Sequence, residues 1–218
     1  MDMNKRPAIV DTNAVALAGR IISAAADKNR FVVAIAGPPG SGKSTLAEAV
    51  AEAINRQTGL DCATVFPMDG YHFDDAILEA RGDRLRKGAP HTFDVDGYRH
   101  TLVRLREAKG DVAVPVFDRS LELSRGSARL ITPQHRFIIS EGNYLLLNQA
   151  PWISLAPMFD LTVSIVEPEV ELVRRLHARW VHYGLTPDQI TAKMDGNEMP
   201  NVRLVLNGSR QADVVVGG

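Results

Sequence analysis

Apolar residues along this chain fall into two kinds of run. The first kind is the short unbroken block. Phe31-Val32-Val33-Ala34-Ile35-Ala36 leads the series, followed by Ala63 to Pro67, Val112 to Phe117, Arg136 to Ser140, Leu161 to Val166 and Asp213 to Val216. Blocks without polar alternation predict strands covered on both faces, as in a parallel sheet. Pro115 lacks a backbone N–H to donate, so the Val112 block reads as an edge strand.

The second kind is the spaced stripe. Residues 12 to 28 predict a helix whose stripe is Val15, Ala18, Ile21, Ile22 and Ala25. Leu46 to Gln57 holds good helix formers and no breaker. A short helix is expected over Asp74 to Arg81, and a longer one over Asp96 to Ala108, where Tyr98, Leu102 and Leu105 share a face. A further helix opens at Glu167-Pro168, with proline at an early position where it is tolerated, and runs through Val170, Val173, Leu176 and Trp180. Arg81 to His91 is polar and reads as a loop. Residues 182 to 201 are polar and interrupted by Gly184, Pro187, Gly196 and Pro200, which predicts a helical, mobile lid over about 174–200. Strands alternating with helices give an α/β domain with a mostly parallel sheet and helices on both faces.

Composition narrows this without changing it. The 218 residues, 45% of them hydrophobic, suit one domain with a substantial core. A net charge of −1 gives no bulk attraction to nucleic acid or anionic membranes, so neither is an expected partner. Basic residues cluster only locally, near Arg81 to Lys87 and Arg174 to Arg179. The single cysteine, Cys62, excludes an internal disulfide and is expected to pack beside a strand. No apolar stretch approaches transmembrane length, and Met1 to Pro7 lacks the apolar core of a signal peptide, so a cytoplasmic protein is expected. Oligomeric state stays open, with a homodimer as one candidate.

The chemistry is concentrated after the first strand. Gly37-Pro38-Pro39-Gly40-Ser41-Gly42-Lys43-Ser44-Thr45 fits G-x-x-x-x-G-K-[ST], the phosphate-binding P-loop. Its glycines let main-chain N–H groups approach and cradle anionic phosphates. Lys43 supplies a point charge for the outer phosphates, and the Ser44 hydroxyl can ligate Mg²⁺. The helix that starts here adds its positive end. Strand, glycine loop and helix occur in the order this mechanism requires.

Ligands in open α/β sheets bind beyond the carboxyl ends of the strands. Asp69 and Glu141 both follow strand blocks and can serve as Mg²⁺ contact and as proton acceptor for an alcohol. Arg174, Arg175 and Arg179 lie ahead of the lid, where an arginine can neutralise a transferred phosphoryl group. The six histidines show no H-x-x-x-H spacing, which argues against a histidine metal site. A GTPase switch is the rival from another class. Asp94-Val95-Asp96-Gly97 fits D-x-x-G, but no apolar strand precedes it and the N-K-x-D motif is missing. A transporter or motor ATPase would need a signature loop such as L-S-G-G-Q, also missing.

Beyond the P-loop, the chain carries Met68-Asp69-Gly70-Tyr71-His72-Phe73, Gly88-Ala89-Pro90-His91-Thr92-Phe93-Asp94 and Pro115-Val116-Phe117-Asp118-Arg119. Ser140-Glu141-Gly142-Asn143-Tyr144-Leu145-Leu146, Asp195 to Asn201 and Arg210-Gln211-Ala212-Asp213 follow. With these motifs the chain resembles the P-loop kinases that include uridine kinase, pantothenate kinase and phosphoribulokinase. It is similar in particular to a bacterial nucleoside/nucleotide kinase-like branch labelled fructose transport system kinase or fructokinase.

The resemblance implies a P-loop three-layer sandwich, with ATP as donor, Mg²⁺ as cofactor and a small-molecule alcohol as acceptor. It further implies that Asp69 is base and metal contact and that Glu141 lies near Mg²⁺. Asp94 would contact acceptor hydroxyls, and Tyr71, His72, Phe117, Arg119 and Asn143 would line the acceptor pocket. Arg174 and Arg179 would feed the lid, and Arg210 would lie near the adenine. The chain differs from uridine kinases at Phe117-Asp118-Arg119-Ser120, where they carry Tyr and His, and it lacks the long pantothenate-specific extension. A sugar, a nucleoside and a pantothenate-like alcohol all remain open as acceptors.

Overall fold

The strand before the P-loop sits at the centre of the molecule. In the computed structural model, which describes residues 9–10 and 13–217, this strand is β2. The strands and helices in chain order are β1 (Ile9–Val10), α1 (Ala14–Ala25), β2 (Phe31–Ala36), α2 (Lys43–Thr58), β3 (Ala63–Pro67), α3 (Asp75–Arg81) and α4 (Val95–Glu107). They continue with β4 (Val112–Asp118), β5 (Leu123–Ile131), β6 (Phe137–Gly142), β7 (Leu161–Val166), α5 (Glu169–His182), α6 (Pro187–Lys193), α7 (Met199–Gly208) and β8 (Val214–Gly217). The expected start of the first helix at residue 12, and the stretch Met1 to Pro7, lie outside the described residues.

Six strands form one sheet in the order β1-β8-β7-β2-β6-β3, every pair parallel. The residues of β2 alternate between two cores. Phe31, Val33 and Ile35 face α1 and α2, where Leu17, Ile21, Val50 and Ile54 meet them. Val32, Ala34 and Ala36 face the other layer, which holds Tyr98, Leu102, Tyr144 and Trp152. That is why β2 reads as continuous apolar sequence: both faces are covered, giving the α/β three-layer sandwich. Fully burying a larger apolar side chain such as Phe31, Val33, Ile35 or Val32 contributes about 1.5–3 kcal/mol, so β2 anchors both layers.

Local chemistry sets the element ends. Asn13, Asp74 and Asp94 cap α1, α3 and α4 through side-chain oxygens that accept from Ala16 N, Ala76 N and Gly97 N. Thr186 and Gln189 form a reciprocal capping box at α6. The helix after the P-loop begins at Lys43, three residues earlier than the apolar pattern implied.

Several expectations need correction. Val15 is 57% exposed, so the inner stripe of α1 is Leu17, Ala18, Ile21 and Ala25. On α5, Val170 and Val173 face outward, and the buried pair is Leu172 and Leu176 at i,i+4 spacing. The Val112 block does form an edge-type strand, but in a separate antiparallel pair with β5. β5 was not legible because Leu-Ser-Arg-Gly-Ser-Ala-Arg-Leu-Ile is mostly exposed and polar. The expected loop at Arg81 to His91 contains two short 3₁₀ turns, Arg84–Arg86 and Pro90–Thr92. The lid region is helical: α6, a five-residue π turn over Met194–Glu198, and α7. A small core of its own, including Leu172, Leu176, Ile190, Met194, Met199 and Val202, joins α5 to it.

Candidate active site

Parallel register brings the site together. Glu141 on β6 lies opposite Ile35 of β2 and Pro67 of β3. The carboxyl ends of three strands therefore converge: β2 leads into the P-loop, β3 into the 3₁₀ turn Met68–Tyr71, and β6 ends at Glu141 and Gly142. A cleft of about 410 Å³ opens over this point.

The P-loop forms the cleft's floor. Gly40 and Gly42 have φ of 82° and 84°, a left-handed backbone closed to most side chains. Pro39, Gly40, Gly42, Lys43, Ser44 and Thr45 line the cleft, whereas Gly37, Pro38 and Ser41 support the loop from beneath. Lys43 Nζ donates to Pro38 O at 3.0 Å. Burial pulls the Lys43 ammonium down to about 8, against the opposing pull of Glu141 and Asp69. The Ser41 hydroxyl is buried and lacks a hydrogen-bond partner among the described residues. The left-handed turns at Gly40 and Gly42, with Lys43 beside them on the cleft, fit an amide cradle for a phosphate.

Two carboxylates meet above the loop. Glu141 is 5% exposed, and both burial and the neighbouring Asp69 push it well above the usual carboxylate range. Lys43 and a hydrogen bond from Ser44 pull it the other way. Asp69 Oδ2 is held by Arg119 Nη2 at 2.9 Å. His72 Nδ1 lies 2.8 Å from Asp69 O, and its ring packs on Phe93 at 4.0 Å and Phe117 at 4.8 Å. Burial lowers the His72 imidazole below its ordinary value.

The predicted site residues divide clearly. The P-loop, Asp69, His72, Phe117, Arg119, Glu141, Asn143 and Arg179 share the cleft. Four others do not line it. Tyr71 turns into the core, edge-on to Phe66 and Tyr98. Asp94 caps α4. Arg174 points away and pairs with Glu171 at 2.6 Å. Arg210 donates its backbone N–H to Leu146 O, and its guanidinium is partly buried outside the cleft. Arg175 instead ties α5 to the floor, reaching Glu167 at 2.7 Å and Gly40 O at 3.5 Å.

Sequence reasoning missed much of the far wall. Arg84 and Lys87 line it, both paired with Asp75 at 2.7 Å. Phe93, Trp180, Lys193, Glu198 and Asn201 also line it. The basic cluster at 81 to 87 was visible as composition, but its approach to the P-loop depends on long-range packing. Lys87 Nζ also donates to Glu122 O at 2.6 Å and sits 5.1 Å over the Phe117 ring.

With this geometry in place, comparison with known proteins decides the family. A model of the Phosphoribulokinase / Uridine kinase family matches residues 32–217. The chain belongs to that family. Escherichia coli (strain K12) YggC is 36% identical over 189 residues, 87% of this chain and 78% of YggC. A "Putative uridine kinase" of Schizosaccharomyces pombe is 32% identical, covering 92% of this chain and 88% of its own. The solved structure of a "putative fructose transport system kinase" from Silicibacter sp. TM1040 superposes with a TM-score of 0.87 at 36% identity, over 94% of this chain and 98% of that one. As a member of the phosphoribulokinase/uridine kinase family, the protein is an ATP-dependent small-molecule kinase that phosphorylates an alcohol. No helix among the described residues is long and apolar enough to cross a membrane.

Proposed function

We propose that the chain transfers the γ-phosphoryl group of ATP to one hydroxyl of a sugar-like polyol or a nucleoside. The observation that carries this reading is the pairing of Asp69 and Glu141 above Lys43 and Ser44, at one end of a cleft that continues past Asp69 toward aromatic and amide side chains. Asp69 accepts the acceptor's hydroxyl proton as the oxygen attacks phosphorus, and Arg119 fixes the carboxylate's orientation. Lys43 leaves Pro38 O to bind the outer phosphates. Arg179, which forms no ion pair among the described residues, faces the transferred group.

Ser44, Asp69 and Glu141 would hold Mg²⁺. A buried carboxylate beside a second one, with a hydroxyl adjacent, suits an ion that takes few protein oxygens. When bound there, the ion neutralises charge on the β- and γ-phosphates. A mobile lid over about 174–200 would close over the reactants and exclude water, which limits wasteful hydrolysis. The test is ADP release from ATP/Mg²⁺ across a panel of sugars, nucleosides and pantothenate-like alcohols. A polyol or nucleoside should be the acceptor that raises turnover; release that no acceptor stimulates would remove the reading.

A further inference from the structure

The wall facing the P-loop contains a buried acid that the mechanism above leaves unused. Glu198 ends the π turn Met194–Glu198, lines the cleft and is 8% exposed. It forms no ion pair within 4.0 Å among the described residues; Arg179 and Lys193 act on it only from farther away, and burial raises it. The Trp180 indole lies beside it. A carboxylate has room for about four hydrogen bonds, so most of its capacity is open to the cleft. Holding such a group out of water costs stability unless a ligand satisfies it.

The structure braces this acid against the acceptor side of the cleft. Asn197 Nδ2 donates to Lys87 O at 2.8 Å, and Asn197 Oδ1 accepts from Arg86 Nε at 3.3 Å and from Asn201 Nδ2 at 3.1 Å. The Tyr144 hydroxyl donates to Gly88 O at 2.6 Å and fixes the same segment from below. In this conformation these bonds hold the π turn, the C-terminal part of the lid, against residues 86 to 88 and so place Glu198. π turns of this kind recur at functional sites.

The basic groups that share this wall are only partly matched. Arg84 and Lys87 share Asp75, and Arg119 holds Asp69. Beside them the wall offers an acceptor the ring faces of Phe93 and Trp180.

We propose that Glu198 is a specificity-determining residue that accepts hydrogen bonds from acceptor hydroxyls other than the one phosphorylated, so that the acceptor is an uncharged polyol. This rests on the kinase reading and sharpens it: an acceptor bearing a phosphate or carboxylate would meet Glu198 with like charge.

The experiment compares paired acceptors and one conservative variant, both in the full-length protein. ADP release is followed with D-fructose against fructose 6-phosphate, and with uridine against uridine monophosphate, in wild type and Glu198→Gln. The neutral member of at least one pair should be used, and the charged member should be at least tenfold poorer in kcat/KM. Glu198→Gln should raise the acceptor KM by tenfold or more, with a smaller change in kcat and less than a twofold change in the KM for ATP. A deoxy analogue lacking one non-reacting hydroxyl should be poor with wild type and nearly indifferent to Glu198→Gln, a pattern that a merely structural role would not produce. Preference for the charged member, or equal loss for polyol and deoxy analogue, would overturn the inference and leave the kinase reading standing. ADP release that no acceptor stimulates would remove both.

Discussion

The two ends of the cleft are built in opposite ways. The nucleotide end is one continuous stretch, β2, the P-loop and the start of α2, set on a strand whose residues are all buried. The acceptor end is assembled from separate pieces, among them the 84–93 segment, the β4–β5 hairpin, Asn143 after β6, the end of α5, and the π turn with α7. The first end holds a generic group, a chain of phosphates, by main-chain N–H groups that any sequence of the right shape supplies. The second end must recognise one alcohol by side chains, and side chains vary without disturbing the fold. The division explains why the family is secure while the acceptor must be argued residue by residue.

The largest expected effect comes from the contiguous end. Lys43→Ala should reduce turnover by about 10³-fold or more, because charge stabilisation at the transferred phosphate is the main catalytic contribution. The protein should stay folded, since the lysine is itself buried at a desolvation cost. A thermal melt alongside the kinetic assay checks both; a variant within tenfold of wild type would dissolve the distinction between the two ends.

Asp69→Asn, at the junction, should lower kcat by about 10²-fold with little change in the KM for ATP. A change in the KM for ATP alone would mean that Asp69 belongs to the nucleotide end only.

The arginines of α5 give a direct contrast at smaller scale. Arg179→Ala should cost on the order of 10²-fold in kcat, as loss of a charge that stabilises the transition state does. Arg174→Ala should change activity by less than about twofold, because Arg174 pairs with Glu171 on an exposed surface. The reverse order would place the wrong arginine over the phosphate.

The smallest effect concerns stability. Glu141 has a raised proton affinity in the folded, metal-free protein, chiefly through burial and then through Asp69. Its contribution is fully present below the ordinary carboxylate value and is lost as pH rises through the raised one. Glu141→Gln should therefore melt higher than wild type at pH 8 in EDTA, by about 2–4 °C for each kcal/mol recovered, and match it near pH 4. A gain that is equal at both pH values would show that Glu141 stays ionised when buried.

Much of the fold could be read from the chain because burial on both faces leaves a plain mark. The blocks at 31–36, 136–140 and 161–166 all became central strands. Half-exposed elements left none: β5 is polar, and the outward Val170 and Val173 misled the reading of α5. At the site, Lys43 and Ser44 were legible from the P-loop motif, and Asp69 and Glu141 because each lies at the carboxyl end of a buried strand block. Tyr71 and Asp94 sit in equally suggestive motifs, yet one turns into the core and the other caps a helix. Glu198 and Lys87 were not legible, because their approach to the cleft depends on a π turn and a network of asparagine hydrogen bonds.

The central claim is that ATP's terminal phosphoryl group goes to an alcohol and not to water. Phosphorus NMR of the wild-type protein with ATP, Mg²⁺ and a polyol that stimulates ADP release tests it directly. The account predicts ADP and a new phosphomonoester appearing in equal amounts, with no growth of the inorganic phosphate signal. Inorganic phosphate accumulating in step with ADP, with no phosphomonoester, would contradict it.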